Sequence, residues 1–173
     1  CEKLKMKKIK VASSKMTDID LLKYLNKKCD EIFFSTGLSN LKEIKNSLKY
    51  LLNTKVYIMH CVSEYPLNIK NANLLAIKTL RKTFPNYEIG YSDHTIGTLA
   101  CKIAAALGAS VIEKHFTLNK NFKGTDHILS ATPNEMKDLR KNLDEIILMF
   151  GNGKKIPSKK EVKIKKFMRN RFK

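Results

Sequence analysis

The sequence has no apolar run approaching the roughly 20 residues that a membrane-spanning helix needs. Its first five residues, Cys-Glu-Lys-Leu-Lys, lack the apolar stretch of a secretory signal. The four cysteines, Cys1, Cys29, Cys61 and Cys101, show no CxxC spacing, so neither a zinc knuckle nor a disulfide framework is indicated. These absences favour a cytoplasmic protein that has no membrane partner.

Acidic residues are scarce, because 16 Asp and Glu stand against 34 Lys and Arg, which gives a net charge of +18. This charge raises the hypothesis of a basic nucleic-acid-binding module. The only dense run is residues 154–173, where 10 of 20 residues are Lys or Arg. No nucleic-acid-binding motif appears, and only Phe167 and Phe172 interrupt that run with aromatic rings. A solvated Lys-rich surface is therefore favoured over a nucleic-acid partner, and its field would attract small anionic substrates.

What the sequence does contain is a regular alternation of apolar β-type runs and amphipathic helical runs, repeating about every 20 to 30 residues. The predicted strands are Ile9–Ala12, Glu31–Ser35, Lys55–Cys61, Glu88–Tyr91 and Ser110–His115. The predicted helices are Asp18–Asn26, Asn40–Leu52, Asn71–Phe84, Ile96–Leu107 and Pro133–Phe150. Strict alternation of this kind predicts a parallel sheet with right-handed crossovers.

Polar residues cluster where the predicted strands end, which is typical of the active-site face of a (β/α)8 barrel. They are Ser13, Ser35, Ser63, Ser92, His94 and His115. Because five βα units are visible, we expect an α/β fold in which residues 1–153 form about the last five units of a TIM barrel. Residues 154–173 are expected to be a basic linker. An open, doubly wound five-stranded sheet is the alternative, although the sequence has no GxGxxG loop.

Two histidines, His94 and His115, are the most informative residues. Each closes a strand-like run, and one helical run separates them, so they should occupy neighbouring strand tips roughly 5 Å apart. Two such imidazoles can reach one metal ion through bonds of about 2 Å. Strand alternation places Glu113 on the same face as His115. A buried carboxylate there needs a partner, which a nearby metal would supply.

Several motifs follow one another in a fixed order between Lys10 and Pro157. They are KVAS at 10–13, STG at 35–37, HCVSEYP at 60–66, GYSDHTIG at 90–97, LGA at 107–109, IEKHFT at 112–117 and GTDH at 124–127. Any one tripeptide is weak evidence, but the ordered set is specific. The chain resembles the sialic acid synthase family, which includes N-acetylneuraminate, legionaminate and pseudaminate synthases.

The resemblance implies a transferase that condenses phosphoenolpyruvate with an N-acetylated mannosamine-type sugar and releases phosphate. It implies a divalent metal, Mn²⁺ or Mg²⁺, held by His94 and His115. It also implies a homodimer for the full-length protein, and products that serve cell-surface polysaccharide biosynthesis. Manganese suits a site built from imidazole and oxygen ligands.

The resemblance also assigns roles to other residues. Those that would bind phosphoenolpyruvate are Lys10, Ser13, Ser35, Ser63 and Ser92. The catalytic candidates are Tyr65 and Asp126, which match sugar-contacting positions, and Glu113. Glu113 would orient the attacking water or form a structural ion pair. His127 has no single assigned role. Because strand alternation would point the side chains of Lys10 and Ser13 in opposite directions, a bend is expected after the first strand.

One position departs from the family pattern, since Lys15 stands where the family usually has an acidic residue that binds the sugar. A cation cannot accept the same hydroxyl hydrogen bonds, so another phosphoenolpyruvate-condensing synthase with a different acceptor stays open. The family pattern also includes earlier barrel strands before Cys1 and a small antifreeze-like domain after Lys173. A barrel lacking strands exposes sheet edges, so this stretch alone is expected to be inactive.

Overall fold

Five parallel strands form one sheet whose spatial order is the chain order. The structure, a computed structural model, describes residues 4–171, so Cys1, Phe172 and Lys173 lie outside the described residues. The strands are β1 (Lys8–Val11), β2 (Glu31–Ser35), β3 (Lys55–Cys61), β4 (Glu88–Asp93) and β5 (Val111–Lys114). A doubly wound sheet reverses its strand order at a switch point. Because this sheet has no reversal, the doubly wound alternative is wrong.

Helices follow the strands as the α/β prediction required. They are α1 (Ile19–Lys28), α2 (Leu41–Leu48), α3 (Ala76–Thr83), α4 (Leu99–Ala106), α5 (Pro133–Phe150) and α6 (Lys159–Asn170). Two short 3-10 turns, Ser13–Lys15 and Ile69–Asn71, follow β1 and precede α3. The turn that begins at Ser13 supplies the bend expected after the first strand.

Local sequence explains two helix starts and corrects a third. The side chain of Asn40 accepts from the backbone of Glu43, and the Glu43 carboxylate accepts from the Asn40 backbone, which forms a capping box. Thr132 does the same for α5. The predicted start of a helix at Asn71 is wrong, because Asn73 adopts a positive φ of 43°. This left-handed residue interrupts the helical path, so α3 begins at Ala76.

The sheet is strongly curled, as a barrel requires. The Lys10 Nζ on β1 lies 2.8 Å from the Glu113 Oε1 on β5, although three strands separate β1 from β5. In a flat sheet these strands would lie about 19 Å apart, at about 4.8 Å per step. The side chains of Lys10 and Glu113 therefore meet inside a half-barrel, which confirms the predicted fold class.

The opposite face of the sheet packs against the helices and forms the main core. Ile32, Ile58 and Ile89 on the strands and Leu22 and Ile77 on the helices are at most 2% exposed. Burying each such side chain contributes about 1.5–3 kcal/mol. The core therefore fixes the strand tips, whereas the inner face of the sheet carries polar groups.

A loop after β5 returns to the sheet before α5 begins. Ala131 forms a single parallel bridge with Phe116, and its N–H donates to the His115 carbonyl at 2.7 Å. Beyond α5, every described residue from 151 onward is exposed, including helix α6. Within residues 4–171, no helix combines the length and apolarity that crossing a membrane requires.

Candidate active site

His94 and His115 stand side by side at the C-terminal ends of β4 and β5. Their ring centroids are 5.3 Å apart, and the rings are tilted by 68°. His94 is buried, and its Nδ1 lies 2.7 Å from the Val62 carbonyl oxygen. A protonated Nδ1 donating to that carbonyl leaves Nε2 as a lone-pair donor, which is the usual arrangement of a metal-binding histidine.

The two histidines fit a shared divalent cation. Their separation matches two ligands of one ion, and burial lowers the pKa of His94, which keeps its imidazole in the neutral form that binds metals. Among residues 4–171, no group of three or more His, Cys, Asp or Glu side chains could enclose an ion. An ion held by two histidines would take its other ligands from substrate or water oxygens, as a catalytic site requires.

Tyr65 and Asp126 border this pair of histidines. The Tyr65 ring lies 3.9 Å from the His94 ring, centroid to centroid, and 5.9 Å from the His115 ring. The Asp126 Oδ2 lies 3.7 Å from the His115 Nδ1. Both Tyr65 and Asp126 are about half exposed beside the histidine pair. There they can contact a substrate bound beside the histidines.

Deeper in the barrel, Glu113 is the centre of a small polar network. Its Oε1 accepts from the Lys10 Nζ at 2.8 Å and from the Ser92 Oγ at 2.7 Å. In the structure, Lys10 is therefore the charged partner that the sequence demanded for Glu113, whereas a metal near Glu113 stays a prediction. An ammonium group has three donors, so Lys10 keeps two N–H groups for an anionic ligand.

Serines from three strand ends converge next to this network. The Gly37 N–H donates to the Ser13 Oγ at 3.0 Å, and a Cβ built on Gly37 would lie 2.4 Å from the Ser63 Oγ. Ser35 is 1% exposed, and its hydroxyl has no hydrogen-bond partner. An unpaired buried hydroxyl is costly, so the Ser35 hydroxyl keeps its capacity to donate to a polar ligand. Ser13, Ser35 and Ser63 with Gly37 are called the serine cluster below.

Gly37 allows the serine cluster to close, and the sequence interpretation had assigned it no role. In a Gly37→Ala variant the added Cβ would lie 2.4 Å from the Ser63 Oγ and 2.7 Å from the Ser13 Oγ. Both hydroxyls must then turn away, so we expect an anionic ligand, with inorganic phosphate as the probe, to bind at least about tenfold more weakly, the equivalent of one hydrogen bond to a charged group. Isothermal titration would measure this loss.

The matched control is Gly97→Ala, because a Cβ on Gly97 meets no atom within 4 Å, although its φ of +82° makes the substitution strained. The control should therefore lower thermal stability and leave phosphate affinity unchanged. Equal affinities for Gly37→Ala and the unsubstituted protein would contradict a ligand role for the serine cluster.

The remaining candidates lie at the edge of the site. The His127 Nδ1 lies 2.8 Å from the Thr117 Oγ1, and its ring packs edge-on against Phe122, so it supports the loop that carries Asp126. Lys15 extends from the turn after β1, and its Nζ lies 3.2 Å from the Asp18 Oδ2. The cation at this position is thus partly compensated by a carboxylate of the chain itself.

One buried ion pair was also missed. Asp93 and Lys114 face the helices, and their charged atoms lie 2.8 Å apart with side-chain exposures of 0% and 1%. Strand alternation already placed Lys114 opposite to Glu113, on the apolar face. A cation there demands a buried carboxylate, and the strand register makes Asp93 its neighbour. The need for a partner was therefore present in the sequence, whereas the identity of the partner was not.

Comparison with known proteins agrees with this geometry. The model of the NeuB family matches residues 1–155. An uncharacterized protein of Methanocaldococcus jannaschii is 44% identical over 92% of this chain and 48% of its own length. The N,N'-diacetyllegionaminic acid synthase of Campylobacter jejuni is 40% identical over 92% of this chain and 49% of its own. The chain thus spans about half the length of the curated relatives it matches.

A solved structure gives the same result. The N-acetylneuraminic acid synthetase of Leptospira borgpetersenii, crystallised with citrate, superimposes with a TM-score of 0.88 at 31% identity. The superposition covers 98% of this chain and 60% of that protein. The similarity therefore extends over both sequence and fold.

Proposed function

Because this chain belongs to the NeuB family, we propose that it is the site-bearing part of a metal-dependent nonulosonic acid synthase. The reaction is the condensation of phosphoenolpyruvate with the open-chain aldehyde of an N-acetylated mannosamine-type sugar. The observation that carries the proposal is the combination of two paired histidines, His94 and His115, with an adjoining lysine and serine cluster. The two histidines fit a cation, and the lysine with the serine cluster fits an anion.

The reaction forms one C–C bond and breaks one C–O bond. The enol carbon of phosphoenolpyruvate forms a C–C bond with the aldehyde carbon, and the aldehyde oxygen takes a proton. Water adds to the carbon that carries the phosphate, and the C–O bond to the phosphate then breaks. A 2-keto sugar acid and inorganic phosphate result. When bound, Mn²⁺ or Mg²⁺ would supply Lewis-acid polarisation of the aldehyde oxygen.

The residues of the chain would bind and orient the reactants. His94 and His115 would hold the cation. Lys10 and the hydroxyls of Ser13, Ser35, Ser63 and Ser92 would donate to the phosphate and carboxylate of phosphoenolpyruvate, Lys10 with a full charge. Since Ser92 already donates to Glu113, binding would require its hydroxyl to turn. The Ser35 hydroxyl has no partner to give up, but it is buried, so binding would require its surroundings to open.

Three residues would act on the acceptor and on water. Tyr65 and Asp126 would contact the sugar, because both lie on the exposed side of the histidine pair. Glu113 would orient the attacking water, since its carboxylate lies among the proposed phosphoenolpyruvate-binding residues and is held by Lys10. The compensated charge of Lys15 leaves the identity of the acceptor open, so a related sugar-acid synthase is the second candidate.

The domain division is part of the proposal. The match to the family model ends at residue 155, and all described residues from 151 onward are exposed. Both observations support residues 1–153 as the barrel part and residues 154–173 as a basic linker, of which a portion forms α6. Homodimerisation and a cytoplasmic location stay predictions.

The test uses the chain within a complete (β/α)8 barrel, because this stretch alone is expected to be inactive, and measures phosphate release from phosphoenolpyruvate with Mn²⁺ and several N-acetylated hexoses. Binding of Mn²⁺ and of phosphoenolpyruvate is measured separately by titration. We expect both ligands to bind and phosphate release to require both the metal and a sugar. A chelator should abolish release, and added Mn²⁺ should restore it. Failure of phosphoenolpyruvate and Mn²⁺ to bind the folded protein would contradict the proposed function.

A further inference from the structure

The strongest remaining feature is a buried polar network directly behind the two histidines. It centres on the Asp93 carboxylate, which lies on the helix-facing side of β4. The Asp93 Oδ1 accepts from the Tyr91 hydroxyl and from the Thr95 N–H, both at 2.9 Å. The Oδ2 accepts from the Lys114 Nζ at 2.8 Å, the Thr95 Oγ1 at 3.1 Å and the Cys101 Sγ at 3.3 Å.

The network brackets His94 on both sides. Asp93 precedes His94, Thr95 follows it, and the Asp93 carboxylate accepts from both the N–H and the hydroxyl of Thr95. This closes a tight turn with His94 at its apex, in the manner of an Asx turn. The backbone on either side of the imidazole is therefore fixed.

The same network reaches the second histidine. Lys114, which precedes His115, donates from its Nζ to the Asp93 Oδ2 and also to the Thr95 carbonyl oxygen. Asp93 and Lys114 are register partners on neighbouring strands. One ammonium group thus ties the residues on both sides of His94 to the residue before His115. Asp93, Thr95 and Lys114 are called the histidine clamp below.

A buried ion pair is weak evidence for a gain in stability, because desolvation of both charges offsets their attraction. Its location suggests a different role. Partners in the layer behind a metal site orient the ligands, and their loss commonly weakens metal binding about 10- to 100-fold. Here the clamp lies one residue away from each ligand and on the opposite face of the sheet.

We propose that Asp93, Thr95 and Lys114 are positioning residues that set the spacing and orientation of the His94 and His115 imidazoles for a shared cation. The inference rests on the proposed metal site and assigns the clamp no contact with substrate. The alternative is that the clamp only stabilises the fold, in which case metal affinity would change only as stability changes.

The test compares Mn²⁺ affinity, measured by electron paramagnetic resonance of the unbound ion, with the thermal unfolding midpoint. In the Asp93→Asn/Lys114→Met variant neither buried charge remains, so the fold should persist while the cross-strand link is lost. We expect Mn²⁺ to bind at least about tenfold more weakly, with an unfolding midpoint near that of the unsubstituted protein. Ile77→Ala is the control, because Ile77 lies in the core on α3 and forms no part of the clamp, so this variant should lower the midpoint without changing affinity.

Two further variants keep the test decisive. Thr95→Val removes the hydroxyl bond to Asp93 at constant shape, and it decides the question should the double variant fail to fold. Unchanged Mn²⁺ affinity in a folded clamp variant would overturn the proposal. The proposal would also fail if Mn²⁺ affinity fell in proportion to the unfolding midpoint in every variant, including Ile77→Ala. His94→Ala distinguishes failure of the metal site from failure of the clamp. Unchanged Mn²⁺ affinity in His94→Ala would refute the proposed metal site. Loss of Mn²⁺ affinity in His94→Ala, with unchanged Mn²⁺ affinity in the clamp variants, would refute only the role of the clamp.

Discussion

Replacing either histidine of the pair with alanine should abolish Mn²⁺ binding and lower the Mn²⁺-dependent phosphate release of the complete barrel by at least about 10³-fold. Lewis-acid stabilisation supplies several kcal/mol, and each 1.4 kcal/mol of barrier corresponds to a factor of ten. Since the pair offers an ion only two protein ligands, removing one leaves a single imidazole. Titration with Mn²⁺ and a steady-state phosphate assay would measure the two losses in His94→Ala and His115→Ala.

His127→Ala provides the matched control. His127 is also a histidine of the same rim, but its Nδ1 interacts with Thr117 and its ring packs on Phe122 rather than on the histidine pair. This variant should keep Mn²⁺ affinity. Retention of full affinity in both His94→Ala and His115→Ala would place the ion elsewhere and would contradict the role given to the pair.

The largest expected effect on stability comes from breaking the Asp93–Lys114 pair on one side. Lys114→Met leaves the Asp93 carboxylate buried without its cation. Burial by itself raises the pKa of Asp93, but the hydrogen bonds from Lys114 and from the Thr95 N–H outweigh it and hold the pKa below its usual value. Removing Lys114 should therefore lower the free energy of unfolding by about 3–5 kcal/mol, as measured by chemical denaturation.

A second ion pair in the same sheet allows a controlled comparison. The Lys55 Nζ and the Glu88 Oε1 are also 2.8 Å apart, but their side chains are 53% and 46% exposed. An exposed pair contributes less than about 1 kcal/mol, so Lys55→Met should have a small effect. Similar losses for Lys114→Met and Lys55→Met would show that burial does not determine the contribution of the Asp93–Lys114 pair.

Local patterns predicted the secondary structure well where both periodicity and a cap were present. The predicted bounds of strands β2 and β3 and of helix α5 are confirmed. The β-type runs mark the two strands clearly, and the capping box at Thr132 marks the start of the helix. Helix α3 starts later than predicted, since the positive φ of Asn73 depends on how the loop before it packs. No short-range sequence signal specified that conformation.

The site was predicted in part. Adjacent strand tips for His94 and His115 followed from topology, and the 5.3 Å ring separation agrees with it. The partner of Glu113 did not follow, because Lys10 is 103 residues away and meets it only when the sheet curls. The contribution of Gly37 was hidden for the same reason, since Ser13 and Ser63 approach it from different strands.

The sequence alone determined the strand and helix order, the face on which each strand residue lies, and the set of polar residues at the strand ends. These properties depend on the spacing of apolar residues, every two residues in a strand and every 3.6 residues in a helix, and on short motifs. All of these are local features of the sequence. The tertiary structure decided which polar groups became partners: Lys10 with Glu113, Asp93 with Lys114, and a Ser35 hydroxyl that has none. Pairing across a curled sheet depends on its curvature and register, and packing of the helices against its outer face sets both.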